Sequence, residues 1–501
     1  MSDLLLGIDV GTYSSKGVLV MPDGEVLKTS VVDHEMSIPH PGWAEQDADD
    51  IWWGDVVKIC HNLLNGSPYH GGDVAAVTLS AIGPCMLPLN AQGKPLRPGI
   101  LYGVDARASR EIEILNIKLG EDEIFEFSGM ALTSQAVGPK ILWMKNNEPD
   151  LWRDVDHITT ASSYLIYRLT GEKVIDLHTA SHYMPLLDFR KLEWSDRYSE
   201  EIVELDKLPR LMWSDKKAGE VNRVGSEATG LIEGTPVAVG AVDALSEAIS
   251  VGSVRPGDLM IMYGSTTFFI LVMDSPISDK RLWTVAGAYE GQYNLAAGMA
   301  TTGSLTRWFR DELAQELHDE IAYETLFASV EDVEPGAGGI IVLPYFSGER
   351  TPLNDPDARG IIAGLTLAHT RSHIYRAVLE SVAYGIRHNI ETFRDIGADV
   401  KRVVAVGGGT KSKTWLQIVS DVVGIGQVVP ELTIGASYGD AFLAGLVSGI
   451  LKRDDIFHWV KPGLEIIPDK EKHAFYEDYY KDYLDLYKQT KGVVHRLSSR
   501  S

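Results

Sequence analysis

Two stretches of this chain carry the same theme, one in each half, and together they restrict the fold more than anything else in it. The first is an apolar run, Leu4-Leu5-Leu6-Gly7-Ile8-Asp9-Val10, a turn at Gly11, and a second apolar run ending at Val20. The other is Leu259-Met260-Ile261-Met262-Tyr263, then Gly264-Ser265-Thr266, then Thr267-Phe268-Phe269-Ile270. Each reads as a buried strand, a glycine turn and a second strand. Gly11 permits a sharp turn. The first turn then presents the hydroxyls of Thr12, Ser14 and Ser15, backbone N–H groups, and the charge of Lys16. Such a turn can cradle a phosphate. Asp9 can hold the Mg²⁺ that a nucleoside triphosphate carries, because that ion takes one or two carboxylates plus phosphate oxygens. An ordinary hairpin with a turn-stabilising Asp is the alternative for this stretch taken alone. Two such hairpins predict two related halves facing one nucleotide.

A third signal lies at 235–249. The run Pro236-Val237-Ala238-Val239-Gly240-Ala241-Val242 leads into Asp243, where a helix should start. Asp243 is read two ways: as a helix N-cap, or as a carboxylate presented at the C-terminal edge of a sheet, where α/β proteins place their ligands. Downstream, Gly303-Ser304-Leu305-Thr306-Arg307-Trp308-Phe309 opens an amphipathic helix. Arg402 to Val406, Gly407-Gly408-Gly409 and Ser412 read as strand, glycine turn and helix start, and the three glycines let backbone approach a flat ligand. Gly435-Ala436-Ser437-Tyr438-Gly439-Asp440 begins another helix with small residues, suited to close packing.

The remaining pattern is organisational. Arg255-Pro256-Gly257-Asp258 punctuates the chain, so domains are expected over 1–254 and 255–501. A helix is expected over 50–64, capped by Asp47 or Asp49. Residues 100–107 read as a strand ending in charge, 111–168 as helical, 373–394 as one long helix. A tail helix over 469–488 carries a tyrosine-rich stripe read as packing. His178 and His182 share a metal-helix spacing but lack the intervening glutamate, so a metal site there is not expected.

Composition excludes several classes. With 501 residues, 45% hydrophobic and 23% charged, the chain suits a soluble globular protein of more than one domain. A formal net charge of −24 argues against nucleic-acid and anionic-membrane partners. Two cysteines without a CxxC exclude a disulfide framework and a cysteine zinc site. No run is long enough to span a membrane, and the first residues do not read as a secretory signal, so the expected location is cytoplasmic. No P-loop motif and no protein-kinase motif set occurs.

Taken together, the segments resemble the FGGY carbohydrate kinases, and within them the xylulokinase-like branch. The blocks that carry the resemblance are Pro41-Gly42-Trp43-Ala44-Glu45-Gln46-Asp47, Pro344 to Pro352, Gly360-Ile361-Ile362-Ala363-Gly364-Leu365 followed by 373–380, and Gly407-Gly408-Gly409. The resemblance implies an α/β fold of two actin/hexokinase-like (ribonuclease H-like) domains flanking a nucleotide cleft. It implies ATP and Mg²⁺ as cofactors, with Asp9 near the metal and Thr12, Tyr13, Ser14 and Lys16 on the phosphates. Ser265 and Thr266 would form the second phosphate loop. Gly303 and Arg307 would lie by the nucleotide, and Gly408, Gly409 and Ser412 by adenosine. Asp243 matches the family's catalytic base, and a cap and a base can be one residue.

One departure bears on the substrate. Xylulokinases carry a Met-His pair in the first-domain sugar loop and glycerol kinases Arg-Glu; this chain has Ile82-Gly83-Pro84-Cys85. The sugar would then be read by backbone around Gly83 and Pro84 or by other side chains, for which Trp43, Asp105 and Arg107 are candidates. The expected activity is ATP-dependent phosphorylation of a ketopentose such as xylulose. Alternatives are a kinase for ribulose, a hexulose, glycerol or a linear signalling diketone, or a non-kinase actin- or chaperone-like ATPase. Partners are expected to be a small sugar or polyol, with a homodimer left open.

Overall fold

The computed structural model describes residues 3–66, 68–317 and 321–500. The first lobe is built on a six-stranded sheet of β1 (Leu4–Val10), β2 (Ser14–Val20), β3 (Val26–Asp33), β4 (Val74–Ala81), β5 (Lys217–Glu220) and β6 (Pro236–Ala238), in the order β5-β6-β4-β1-β2-β3. The second lobe has seven strands: β7 (Asp258–Tyr263), β8 (Thr267–Met273), β9 (Trp283–Ala286), β10 (Tyr293–Met299), β11 (Arg402–Val406), β12 (Gln427–Pro430) and β13 (Pro462–Ile466), in the order β9-β10-β8-β7-β11-β12-β13.

The two sheets share a five-strand core. In the first, β3, β2 and β1 run antiparallel, β4 and β6 continue parallel to β1, and β5 closes antiparallel. In the second, β10, β8 and β7 repeat the antiparallel part and β11 and β12 the parallel part; its antiparallel edge strand β13 follows β12, whereas β5 precedes β6, and β9 is an added strand beyond β10. The hairpin pairs read from the sequence, β1–β2 and β7–β8, are therefore equivalent elements. Their registers set Asp9 opposite Lys16 and Tyr263 opposite Thr267. Parallel pairing sets Asp9 beside Ser80 of β4. Strand β1 is buried almost throughout because it is central and covered on both faces.

The lobes exchange a helix. The helix after β6, α2 (Asp243–Ser250), packs Ala248 against Met260, Ile270, Val404 and Val406 of the second sheet. The equivalent helix after β12, which we label α6 (Ala436–Val447), lies on the first sheet, where Ala441, Phe442 and Leu443 join Leu5, Val18 and Ala76 in one core. Small residues let α6 lie close against both strand β1 and helix α2. A Cβ on Gly7 would sit 1.9 Å from the Ser437 carbonyl oxygen, and one on Gly439 would sit 2.0 Å from that of Ser246. This is what the run of small residues at 435–441 is for.

Among the other helices, the ones used below are α1 (Gly54–Leu64), α3 (Gly303–Leu313), α4 (Arg371–Asp395), α5 (Lys413–Val423) and α7 (Lys470–Ser498). A widened turn at Ala48–Trp53 precedes α1, and Asp47 caps it by accepting from the Asp49 and Asp50 N–H groups. The tail helix runs ten residues' worth of turns beyond the expected end, to Ser498, and its Tyr476, Tyr480 and Tyr483 are buried in the second-lobe core.

Two local expectations fail. The strand expected over 100–107 stops at Ile100; the Asp105 N–H then turns back on the Tyr102 carbonyl, while the Asp105 carboxylate takes the Ala44 N–H and the Arg107 guanidinium. The helical pattern over 111–168 is broken by a short strand, His157–Thr159, paired to Leu87–Leu89.

Candidate active site

Two cavities lie on either side of one loop, Gly264 to Thr266, the first between the lobes and the second walled by the second lobe alone. The first, about 420 Å³, is lined by Asp9, Lys16, Gly83, Pro84 and Asp243 from the first half and by Thr266, Phe268, Trp283 and Arg350 from the second. The second, about 590 Å³, is lined by Ser265, Gly303, Arg307, Gly408, Gly409 and Ser412, with Tyr263, Phe327 and Trp415 as an aromatic wall. Residues scattered over four hundred positions of sequence thus sort into two adjoining compartments.

Asp243 is the first residue of α2, and its Oδ1 accepts the N–H of Ala244 at 2.7 Å. The cap-like bond uses one carboxylate oxygen. The N-cap position falls to Val242, with no side-chain cap bond, so the cap reading of Asp243 fails; its side chain lies on the wall of the first cavity instead. Four residues on, Glu247 reaches the same cavity. The i, i+4 spacing puts both on one helix face; that spacing is a signal the sequence offers for Glu247.

These acids are crowded. Burial, and then the charge of Asp9, holds the Asp243 carboxyl well above the usual carboxylate range, against the pull of the Ala244 N–H. Burial raises Asp9 too, and the Ser80 hydroxyl and Lys16 only partly offset it. Glu247 is pushed up to about 7 by burial and by Asp9. The Lys16 ammonium donates to the Ile434 carbonyl, which ties β2 to the segment leading into α6. Asp9 Oδ1 takes the Ser80 hydroxyl at 2.8 Å, and its other oxygen makes no hydrogen bond among the described residues.

The second phosphate-loop candidate is held by the start of α3. The N–H groups of Gly303 and Ser304 donate to the Gly264 and Ser265 carbonyls at 3.0 Å each. A Cβ on Gly303 would come within 2.4 Å of the Gly264 oxygen, so only glycine allows this approach. Ser412 caps α5 through the Trp415 N–H and sets Trp415 against the second cavity.

Not every expected residue reaches a cavity wall. Asp105 and Arg107 form a fully buried pair that also engages Glu45, and Trp43 stacks on Arg107 with its ring centroid 4.1 Å from the guanidinium carbon. None of the three lines either cavity; their polar groups are spent on one another. In the first turn, Thr12 bonds Tyr102, whose hydroxyl lies 3.0 Å away, and Tyr13 projects into solvent at 63% exposure. Thr12, Tyr13 and Ser14 line neither cavity. The Ser15 hydroxyl, expected at the turn tip, is instead buried against Asp55. Cys85 also faces the core, its thiol pushed up to about 12 by burial.

Sequence reasoning missed most of the far wall of the first cavity: Tyr102, Met130, Thr133, Gln135, Met184 and Trp283. His178 and His182 belong to it as well. The first is fixed by the Ala286 carbonyl at 2.8 Å, and burial lowers both rings, to about 4 and about 3, so they are neutral. Apart from the i, i+4 spacing of the two histidines, no local pattern marks these residues, because they converge only through the tertiary fold.

Two lobes on one five-strand core that exchange a helix, with Asp9, Lys16 and Asp243 of one facing Thr266 of the other, match a phosphotransferase of the actin- and hexokinase-like kind. The comparisons agree. The FGGY family of carbohydrate kinases matches through its N-terminal domain over residues 4–250 and its C-terminal domain over residues 259–447. The chain belongs to that family and is an ATP-dependent carbohydrate kinase. Among its relatives, the xylulose kinase of Escherichia coli K12 is 28% identical over 493 residues, covering 97% of this chain and 99% of that protein. Glycerol kinase 1 of Streptomyces avermitilis is 30% identical over 463 residues, covering 89% and 88%. The crystal structure of xylulose kinase from Rhodospirillum rubrum superposes with a TM-score of 0.92 at 30% identity, over 98% of this chain and 100% of that one. No helix among the described residues is long and apolar enough to cross a membrane.

Proposed function

We propose that this kinase phosphorylates a hydroxyl of a ketopentose such as xylulose in the cytoplasm, with Asp243 as the general base and Mg²⁺ held at Asp9. The observation that carries the reading is the shared wall: the carboxyl of Asp243 lines the same 420 Å³ cavity as Asp9, Lys16 and Thr266. An acceptor hydroxyl beside Asp243 would therefore lie next to the groups that hold the transferring phosphate.

The residues present fit a magnesium ion. Asp9 keeps one carboxylate oxygen free, and the carboxyls of Asp9, Asp243 and Glu247 are all raised by burial and crowding that Lys16 does not offset, so a cation beside them would favour their ionised forms. Among the described residues no three ligating side chains form a ready-made cage. That suits an ion that takes few protein ligands and keeps its waters and phosphate oxygens. When bound, Mg²⁺ would neutralise phosphate charge.

The chain's own residues do the rest. Lys16 and the Gly264 to Thr266 loop would hold phosphate oxygens from opposite lobes. Tyr263, Phe327 and Trp415 would pack the adenine, with Gly408 and Gly409 allowing its close approach. Phe268, Trp283, Met130 and Met184 would cover C–H faces of the sugar, and Gln135, Thr133 and His182 would read its hydroxyls. Asp243 would accept the proton of the attacking hydroxyl. In a loose phosphoryl-transfer transition state that proton leaves late, so alignment matters more than base strength. Closing the lobes would exclude water and suppress ATP hydrolysis.

The test is ADP release measured with ATP and a panel of xylulose, ribulose, hexuloses and glycerol. The highest kcat/KM is expected for xylulose. Preference for glycerol would move the substrate to the other named relative, and turnover indifferent to every acceptor would mark an ATPase.

A further inference from the structure

The first hairpin turn is braced from behind by a buried pair, His34 and Asp55. His34 follows β3, and Asp55 lies in the first turn of α1. The His34 Nδ1 is 2.7 Å from Asp55 Oδ2, and its Nε2 is 3.0 Å from the Gly11 carbonyl oxygen. The Asp55 carboxylate also takes the Ser15 hydroxyl at 2.9 Å and the Lys58 ammonium at 3.2 Å. The His34 N–H donates to the Tyr13 carbonyl at 3.0 Å. The pair therefore holds the turn at Gly11, Tyr13 and Ser15, both limbs and the tip.

The ring faces acceptors on both sides. A carbonyl oxygen can only accept, and a carboxylate already taking a hydroxyl and an ammonium proton is ionised. Each ring nitrogen must then carry a proton. From this geometry we infer that His34 is an imidazolium that positions the first phosphate loop, and that nucleotide affinity depends on its charge. In a trans peptide the carbonyl and the next N–H point in opposite directions. Drawing the Gly11 oxygen toward His34 turns the Thr12 N–H to the opposite side of the turn.

The surroundings agree. Burial alone would lower the His34 pKa, but the bonds to Asp55 and Gly11 outweigh it, and the ring is held above its ordinary 6.5. Asp55 is lowered, because His34, Ser15 and Lys58 together overcome its burial. The charged groups facing the ring are Asp55 and, through it, Lys58, both on α1. The turn offers it only the carbonyls of Gly11 and Thr12. When pH rises through the His34 pKa, one proton is lost and two acceptors compete for the other. The brace on the turn then loosens.

This inference rests on the proposed binding of the triphosphate at the first turn. Its test is ADP·Mg²⁺ affinity by calorimetry and ATP KM between pH 6 and 9 (on the order of the range in which histidine titrates), for wild type and His34→Gln. Histidine ¹⁵N spectra of both proteins would read the ring directly. We expect the two-proton signature for His34 at neutral pH. We also expect a several-fold weakening of nucleotide binding as that signature disappears, with kcat at saturating ATP changing less. In His34→Gln the affinity should be weakened at pH 6 and lose that pH dependence. A neutral His34 ring at pH 7, or the same affinity profile in both proteins, would overturn the inference. Absence of nucleotide binding at any pH would instead contradict the kinase reading, and the ¹⁵N signature would still decide the ring's charge.

Discussion

Asp9 and Asp440, carried by opposite halves of the chain, share a single hydroxyl. Ser80 Oγ lies 2.8 Å from Asp9 Oδ1 and 2.6 Å from Asp440 Oδ2. It has one proton to give, so one carboxyl must supply the other. Asp440 is fully buried, and burial followed by the charge of Asp9 raises it well above the usual range. Asp440 is therefore the protonated partner. It donates to Ser80, which donates to Asp9, while its second oxygen takes the Ser246 hydroxyl at 2.7 Å. Helices α2 and α6 and strands β1 and β4 meet in this one chain of bonds.

Because Asp440 is neutral, Asp440→Asn should fold and keep most of its activity. Ser80→Ala should not be tolerated in the same way: it leaves Asp9 and one oxygen of the buried Asp440 carboxyl without their shared partner, at a cost of about 1–3 kcal/mol. Urea unfolding of the two variants gives the comparison. A larger loss in Asp440→Asn than in Ser80→Ala would show that Asp440 is ionised.

The helix exchange depends on Gly7. Its missing Cβ leaves room for the Ser437 carbonyl and, 2.4 Å away, the Ala441 nitrogen, both backbone atoms that cannot step aside. Gly7→Ala should cost about 3 kcal/mol and lower the urea midpoint accordingly. An unchanged midpoint would mean that α6 moves freely over β1.

Much of this was legible in the sequence. The hairpin pairs, the Asp47 cap, the small-residue helix and Asp243 stand in local patterns that strand and helix periods expose. On the second cavity, Ser265, Gly303, Arg307, Gly408, Gly409 and Ser412 were named through the family resemblance, while the aromatic wall of Tyr263, Phe327 and Trp415 was not. The sugar side was not legible. Trp283, Gln135 and His182 come from separate elements, and no spacing links them. Asp105 and Arg107 misled for a physical reason: a charged pair after a strand looks alike whether it faces a ligand or a buried partner. The strand expected over 100–107 failed through that same pair.

Glu247 gives a stability signature. Its carboxyl is raised from 4.5 to about 7 by burial and by Asp9. A carboxyl raised in the folded state contributes stability that is fully present below its unfolded pKa and is lost as pH rises through the folded one. Nucleotide-free Glu247→Gln should therefore melt a few degrees higher than wild type at a pH above that window, about 8. The advantage should shrink as pH falls and vanish near pH 4, below the unfolded value, where the carboxyl is neutral in both states (about the lower edge of the window). A variant that melts lower at the alkaline pH would show that the ionised carboxylate is satisfied where it stands.

The most direct measurement is sugar-dependent ADP release by Asp243→Asn, alongside ATP binding by calorimetry. The amide keeps the shape and the bond from Ala244 is replaceable by its oxygen, but it cannot take a proton. The account requires phosphorylation to fall by at least about a hundredfold while ATP binds as tightly as in wild type or tighter. Turnover within a few-fold of wild type would contradict it.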